Sequence, residues 1–398
     1  MGQEPVATAA AVVKLLIDER FDEVANRFTS DLRAAVPPDA LRSAWTTVAA
    51  APVAVTGPAV TEPGQAGLVR VSVPVGGFTV VMSVDDHGLV HGLRLAPASD
   101  PLWTQPSYAD PRLFTEREIT LDGGTGATVT SPVDAGGAGV VLLAGGGPFD
   151  RDESSGPNKP LKDLAWGLAS RGVTVVRFDK ITHVRAMTPG FTMTDEYVPD
   201  AVEALGVLRR EPGVDRLFVV GHSMGGKVAP RVAEADPSVA GLVILAGDAQ
   251  PMHHAAVRVA RHLAFGKSTV EAFERQAELI DSPRLTSRTP SAELPFGWPA
   301  SYWLDLRDYD PVAATARLAV PVFLGQGGRD YQVTVADDLV RWRTGLAGRP
   351  GVTIRVYDAA DHLFFPGEGP STPADYTRPG HVDHDVISDV TEWVAGVG

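Results

Sequence analysis

The stretch Gly221-His222-Ser223-Met224-Gly225-Gly226 decides the fold. Arg216-Leu-Phe-Val-Val220 before it reads as a short buried strand, and Lys227 to Ala235 after it as a helix. A strand, a sharp turn and a helix, with serine at the apex and glycine on both sides, form the setting in which G-x-S-x-G becomes a nucleophile elbow. Such a turn is strained and puts the serine in a conformation few residues tolerate. Glycine is needed at 221 and 225 because a side chain there would collide with the neighbouring strand or helix. The turn would expose the Ser223 hydroxyl at the carboxyl edge of a sheet and aim a helix N-terminus at it.

Outward from the elbow, strands and helices alternate. Gly139 to Ala144 is a continuous apolar run, as in a strand buried on both faces. Helices are expected at Lys159–Arg171, Glu196–Arg210, Lys227–Ala235, Thr334–Trp342 and Val382–Val394. Strands are expected at Val173–Phe178, Ala240–Ala246, Val320–Leu324 and Val352–Tyr357. An antiparallel pair, Glu116–Leu121 and Ala127–Thr130, precedes them around Asp122-Gly123-Gly124. The pattern predicts a doubly wound, mostly parallel sheet with its ligand crevice at the carboxyl ends of the strands. Residues 249–311 are too long for an ordinary loop. They hold helical stretches (Ala255–Leu263, Val270–Leu279) and an aromatic segment around Trp298, Tyr302 and Trp303, and read as a helical cap over the crevice.

Residues 1–96 read as a separate small α+β domain. Val12, Val13, Leu16 and Ile17 fall on one helical stripe, which Phe21, Val24, Ala25 and Phe28 continue after a break. Pro37-Pro38 ends this helical region, and Asp39 is expected to cap a helix from Ala40 to Ala50. Three alternating runs follow, Gly67–Val75, Phe78–Val84 and Leu89–Leu95, as a meander. Residues 97–112 carry four prolines and read as a linker, with Trp103 and Tyr108 either pinning it to a domain surface or lining a substrate entrance. The third domain assignment is then 113–398, with the cap inserted.

The chain has 398 residues, 44% of them hydrophobic, and a formal net charge of −14. That balance, without a long Lys/Arg run, argues against nucleic-acid binding. The absence of cysteine excludes disulfides, thiolate catalysis and Cys-ligated metals. The first residues form no signal-peptide pattern, and no run approaches the ~18 apolar residues of a membrane span. A soluble, cytoplasmic protein acting on a small molecule is expected, with no membrane partner. The exposed edges of the N-terminal sheet are the one hint of a homodimer. His253-His254, His381-x-x-His384 and the Asp85-Asp86-His87 turn with His91 lack a convincing ligand context. No metal and no cofactor are expected.

A serine hydroxyl needs a base to take its proton, and the base needs an acid to hold its tautomer. Of the ten histidines, His362 follows the last strand and can swing over the crevice towards Ser223. Asp330, in Gly325-Gln-Gly-Gly-Arg-Asp330, and Asp248 both follow strands at the correct edge. Asp330 is preferred because its glycine-rich turn lets the carboxylate fold back. The order Ser, Asp, His is the one expected of this sheet. An oxyanion hole needs two backbone N–H donors. Met224 at the helix N-terminus is one, and Gly146 is the other, with Gly147 as an alternative. Phe149, His222, Trp298, Tyr302 and Trp303 are candidates for the substrate pocket. Arg151, Asp152 and Glu153 are expected to brace the oxyanion loop through ion pairs, and Asp305, Arg307, Asp308 and Asp310 to anchor the return of the cap.

Together these residues resemble the α/β-hydrolase superfamily. More narrowly, the chain is similar to bacterial EstD-like carboxylesterases with an N-terminal DUF3887-type (NTF2-like) domain. The resemblance rests on Gly147-Pro-Phe-Asp-Arg-Asp-Glu153, Gly156-Pro-Asn-Lys-Pro160, Leu164-Ala-Trp-Gly-Leu-Ala169, Gly221 to Gly226, Tyr302-Trp-Leu-Asp-Leu-Arg-Asp-Tyr-Asp-Pro311, Gly328-Arg-Asp-Tyr-Gln-Val333 and Asp361-His-Leu-Phe364. It implies serine carboxylesterase chemistry on acyl esters through an acyl-enzyme, with Ser223, Asp330 and His362 as the triad. The family's usual His-Gly-Ser-Gly-Pro is Ala144-Gly-Gly-Gly-Pro148 here. The next position, usually polar, is Phe149, and the usual Asp-Lys-Arg is Asp179-Lys180-Ile181. These changes make the mouth less polar. They motivate an alternative, a natural-product tailoring enzyme of the same fold: an acyloxy-elimination lyase, a cyclase or an acyltransferase.

Overall fold

The computed structural model describes residues 3–49, 53–63, 68–97 and 103–397. It contains two compact units. The first is Met1–Pro101, Met187–Gly190 and Ala256–Leu304; the second is Leu102–Ala186, Phe191–Ala255 and Asp305–Gly398.

In the first unit, helices Gln3–Ile17, Phe21–Ala25, Ser30–Ala35 and Pro38–Val48 accompany an antiparallel sheet. Its strands are β1 (Val60–Pro63), β2 (Val69–Val75), β3 (Phe78–Val84) and β4 (Val90–Pro97), in that order. Alternation sets the inner face: Phe78, Val80, Met82 and Val84 are buried, and the residues between them are only half-buried. The helical stripe Val12, Val13, Leu16, Phe21, Val24 and Phe28 joins them in one core. Trp45 meets Phe78 edge-on at 5.4 Å. Gly67, expected to open β2, lies outside the described residues, and so do residues 98–102 of the expected linker. β1, a four-residue edge strand, is not anticipated by the sequence pattern.

Asp39 does not cap its helix. Pro37 holds the N-cap position, Pro38 opens the helix, and Asp39 sits in the first turn. Its carboxylate instead accepts a hydrogen bond from Ser268 Oγ at 3.2 Å. Most of the expected cap therefore belongs to the N-terminal unit. A Cβ on Gly266 would stand 2.1 Å from Asp39 Oδ2, and Gly297, at φ 67°, lies against Asp31.

The second unit is built on an eight-stranded sheet: β5 (Phe114–Thr120), β6 (Gly126–Pro132), β7 (Gly137–Leu143), β8 (Thr174–Phe178), β9 (Val214–His222), β10 (Val239–Leu245), β11 (Val322–Gly327) and β12 (Val352–Tyr357). The order is β12-β11-β10-β9-β7-β8-β6-β5. The six strands from β12 to β8 are parallel, and β6 and β5 extend the sheet antiparallel. Val140, Leu142, Phe218, Val220 and Val243 pack in one core with Leu164 and Leu168 of helix Pro160–Ala169 and Val386 and Val390 of helix His384–Gly396. Gly139 faces the other way, towards Leu208 of helix Met193–Leu208. Apolar side chains on both faces explain why β7 reads as an unbroken run.

The described part of the linker is fixed to this unit. Trp103 Nε1 donates to the buried Asp163 carboxylate at 2.8 Å, and Trp103 meets Trp166 edge-on at 5.0 Å. The expected helix Thr334–Trp342 opens differently. Val335–Leu339 is a π-turn and only Val340–Gly345 is α-helical. No described helix is long and apolar enough to cross a membrane.

Leu142 is buried within the central strand. Leu142→Ala is expected to cost about 2–5 kcal/mol, read as a fall in the urea midpoint. Val133→Ala, at a position 66% exposed, should stay within about 0.5 kcal/mol of the wild type.

Candidate active site

Ser223 sits between β9 and helix Met224–Ala235 with φ 53° and ψ −120°. Its N–H donates to the Leu245 carbonyl at 2.8 Å, which ties the turn to β10. A Cβ on Gly221 would lie 2.2 Å from the Gly225 oxygen, and one on Gly225 would lie 2.4 Å from the Leu143 oxygen. No real side chain tolerates such contacts, so both glycines are required. Met224 opens the helix, which puts its N–H at the positive end of the helix dipole.

His362 follows β12 in a loop held by its neighbour. Asp361 Oδ1 accepts the N–H groups of Leu363 and Phe365 at 2.9 and 3.0 Å, and Phe364 turns the chain at φ 61°. His362 Nδ1 donates to Asp330 Oδ2 at 2.7 Å. The other Asp330 oxygen accepts from Gln332 N and Val333 N at 2.7 and 3.0 Å. The glycines before Asp330 serve a close approach rather than a left-handed turn. A Cβ on Gly327 would lie 2.3 Å from the Asp361 oxygen, and one on Gly328 would lie 2.7 Å from the Asp358 Cα. The two loops run backbone against backbone, and this brings the carboxylate to the imidazole. Asp248 is occupied elsewhere: Lys227 Nζ, buried, donates to its Oδ2 at 2.5 Å.

The loop after β7 lies beside the serine. A Cβ on Gly145 would be 3.2 Å from Ser223 Cβ, and one on Gly146 would touch Met224 at 3.4 Å. Gly147, at φ 126°, accepts the Phe149 N–H at 2.9 Å. Glu153, expected to brace this loop, does so directly. Its carboxylate accepts the Gly145 N–H at 2.8 Å and His222 Nδ1–H at 2.9 Å. Arg151 and Asp152 turn away to Asp179 and Arg177.

His222, expected on the pocket wall, is committed within the protein. Its Nδ1 faces the Glu153 carboxylate and its Nε2 faces the His362 carbonyl at 2.8 Å. Both partners are acceptors, so both ring nitrogens must carry protons and the ring is an imidazolium. Burial alone would lower its pKa, but Glu153 and the His362 carbonyl outweigh burial and raise it. Trp298, Tyr302 and Trp303 belong to the other unit, where they cluster with Phe273 and Phe296.

Sequence reasoning missed Lys180 and Tyr197. Lys180 Nζ and Tyr197 Oη both donate to the Gly145 carbonyl at 2.8 Å. The available signals are the place of Lys180, two residues past the carboxyl end of β8 at the crevice edge of the sheet, and the lysine kept in Asp179-Lys180-Ile181. Asp305 and Asp310 anchor the chain as it re-enters the sheet unit. Asp305 takes Arg231 and Thr194, and Asp310 caps helix Pro311–Arg317.

An elbow serine, a parallel sheet and a carboxylate-bound histidine after the last strand define a class, and the comparisons agree. The model of the alpha/beta hydrolase family matches residues 140–378, and this chain belongs to that family. Esterase EstD of Thermotoga maritima is 37% identical over 321 residues, which are 80% of this chain and 77% of that protein. Among solved structures, the Pyrococcus furiosus esterase Pf2001 is 18% identical with a TM-score of 0.48, covering 76% of this chain and 98% of its own. Proline iminopeptidase of Mycobacterium smegmatis is 18% identical with a TM-score of 0.45, covering 71% and 99%.

A histidine whose folded pKa is raised adds stability that is whole below the unfolded value, about 6.5, and is lost as pH rises through the folded value. The stability gap between the wild type and His222→Gln should therefore be widest near pH 5.5 and narrow towards pH 9. Urea unfolding at both pH values measures it, and a gap that widens with pH would contradict the imidazolium.

Proposed function

We propose that the protein is a serine carboxylesterase in which Ser223, His362 and Asp330 form the triad. The observation that carries this reading is the buried 2.7 Å bond from His362 Nδ1 to Asp330. With Nδ1–H so committed, Nε2 is the basic nitrogen of the ring. The Ser223 hydroxyl gives its proton to Nε2 as its oxygen attacks the ester carbonyl carbon. The electrons of the C=O bond move to oxygen, and the N–H groups of Gly146 and Met224 receive the oxyanion. Collapse expels the alcohol, which takes the proton from His362, and leaves an acyl-Ser223 ester. Water, deprotonated by His362, then releases the acid and restores the serine.

The likeness to an esterase at 37% identity favours this reading over a tailoring lyase, cyclase or acyltransferase. A helical N-terminal segment followed by an antiparallel meander is consistent with a DUF3887-type domain in residues 1–96.

Ser223→Ala should lower turnover of short p-nitrophenyl esters by about 10³-fold or more. Asp330→Asn should cost about 10⁴-fold in kcat. Asp248→Asn should instead spare kcat and lower the Tm, since it leaves Lys227 buried without its counter-charge. If Asp248→Asn abolishes turnover and Asp330→Asn does not, the acid is misassigned.

A further inference from the structure

We propose that Lys180, Tyr197 and Glu153 are positioning residues that lock the Gly145 peptide units and thereby aim the Gly146 N–H into the oxyanion hole. This rests on the reading of Ser223 as nucleophile and Gly146 as donor given above. Gly145 is held at both ends. Its N–H goes to Glu153 at 2.8 Å, and its carbonyl oxygen accepts from Lys180 Nζ and Tyr197 Oη, each at 2.8 Å. All three side chains are buried, with 2% exposure or less. The Gly145–Gly146 peptide is planar and trans, so its N–H points opposite to its carbonyl. Fixing the Gly145 oxygen towards Lys180 therefore fixes the Gly146 N–H away from it.

The direction of each bond is determined. Lys180 Nζ faces three oxygens: Gly145 O at 2.8 Å, Tyr197 Oη at 2.7 Å and Glu196 Oε1 at 3.1 Å. Tyr197 spends its own proton on Gly145 O, so its oxygen accepts from the lysine. Three acceptors require the three N–H groups of an ammonium. Burial lowers the Lys180 pKa from its ordinary value, and the Glu196 and Glu153 carboxylates oppose that shift. Burial raises the Tyr197 phenol well above its ordinary value, which keeps that donor protonated. A cation on a carbonyl oxygen also polarises the amide and strengthens donation from its N–H. Glu153 completes the bracket and is itself held by His222 at 2.9 Å, the residue before Ser223. Nucleophile and donor loop are thus tied to one carboxylate. A Cβ on Gly145 would stand 2.7 Å from Glu153 Oε1, so a side chain there would displace the carboxylate from its bonds.

A donor held by such a bracket acts on the tetrahedral oxyanion more than on the flat ester, so its loss should appear in kcat and not in KM. The full chain carrying Lys180→Met is compared with the wild type on p-nitrophenyl butyrate and on an alkyl trifluoromethyl ketone, which adds to the serine as a tetrahedral oxyanion. The expected result is a fall of about 10- to 100-fold in kcat, with KM within about threefold and ketone affinity lost in parallel with kcat. Tyr197→Phe, which removes one hydroxyl and keeps the ammonium, should show the same pattern at about 3- to 10-fold. An unchanged kcat, or a kcat that falls while ketone affinity holds, overturns the proposal. If Lys180→Met does not fold, Tyr197→Phe decides by the same two criteria. Labelling of Ser223 by a fluorophosphonate in the wild type separates the layers. Failure there removes the nucleophile reading and this proposal with it, whereas labelling with undiminished variants removes this proposal alone.

Discussion

Ser223 is held at φ 53°, in a region that a residue with a side chain occupies at a cost of about 1–3 kcal/mol. Three strands combine to hold it there. β9 delivers the chain, the Leu245 carbonyl at the end of β10 takes the serine N–H, and the Leu143 carbonyl at the end of β7 comes within 2.4 Å of where a Cβ on Gly225 would be. The elbow can form only where β9 lies between β7 and β10, which is the observed order. The same arrangement puts the loop after β7 against the serine, so sheet order and site geometry follow from one contact between backbones.

Three buried ion pairs surround that contact: Lys180 with Glu196, His222 with Glu153, and Lys227 with Asp248. Buried pairs are poor sources of net stability, because taking two charges out of water offsets most of their attraction. Their value here is directional. Lys227 binds both Asp248 and the Gln250 carbonyl, and Asp338 takes the N–H groups of Ala249 and Gln250. Together they fix the chain where it leaves β10. His222 spans from Glu153 to the His362 carbonyl. Each pair ends on a main-chain atom of a loop at the carboxyl edge, and these loops have no regular structure to hold them otherwise.

This explains which parts of the site were legible in the sequence. The elbow is legible because its glycines and flanking strand and helix are local. His362 is legible by chain order. Asp330 and Asp248 both follow strands at the same edge; the glycine-rich turn favours Asp330 in the sequence, and in the structure His362 bonds Asp330 while Lys227 bonds Asp248. That Glu153 braces the loop is legible, but its bond to the Gly145 N–H and the parts played by Lys180 and Tyr197 were not, because the partner is the backbone of Gly145, and a main-chain partner leaves no side-chain signature. The π-turn at Val335–Leu339 was hidden for a similar reason. Asp338 is buried and drawn to the N–H groups of Ala249 and Gln250, a tertiary pull that overrides helical propensity.

The insertion after β10 shows the same limit on a larger scale. Its length and helical periodicity mark it as a separate element, but periodicity does not say what its apolar face packs against. In the structure, Ala256–Leu304 shares a compact unit with the N-terminal helices and sheet. Ala34 and Pro37 line one small pocket together with Thr269 and Phe273. Gly266 gives way to Asp39, which the sequence alone assigns to its own helix. The chain also passes from one unit to the other and back several times, at 101–102, 186–187, 190–191, 255–256 and 304–305. The N-terminal segment and most of the insertion thus pack in one compact unit, although they are far apart in sequence.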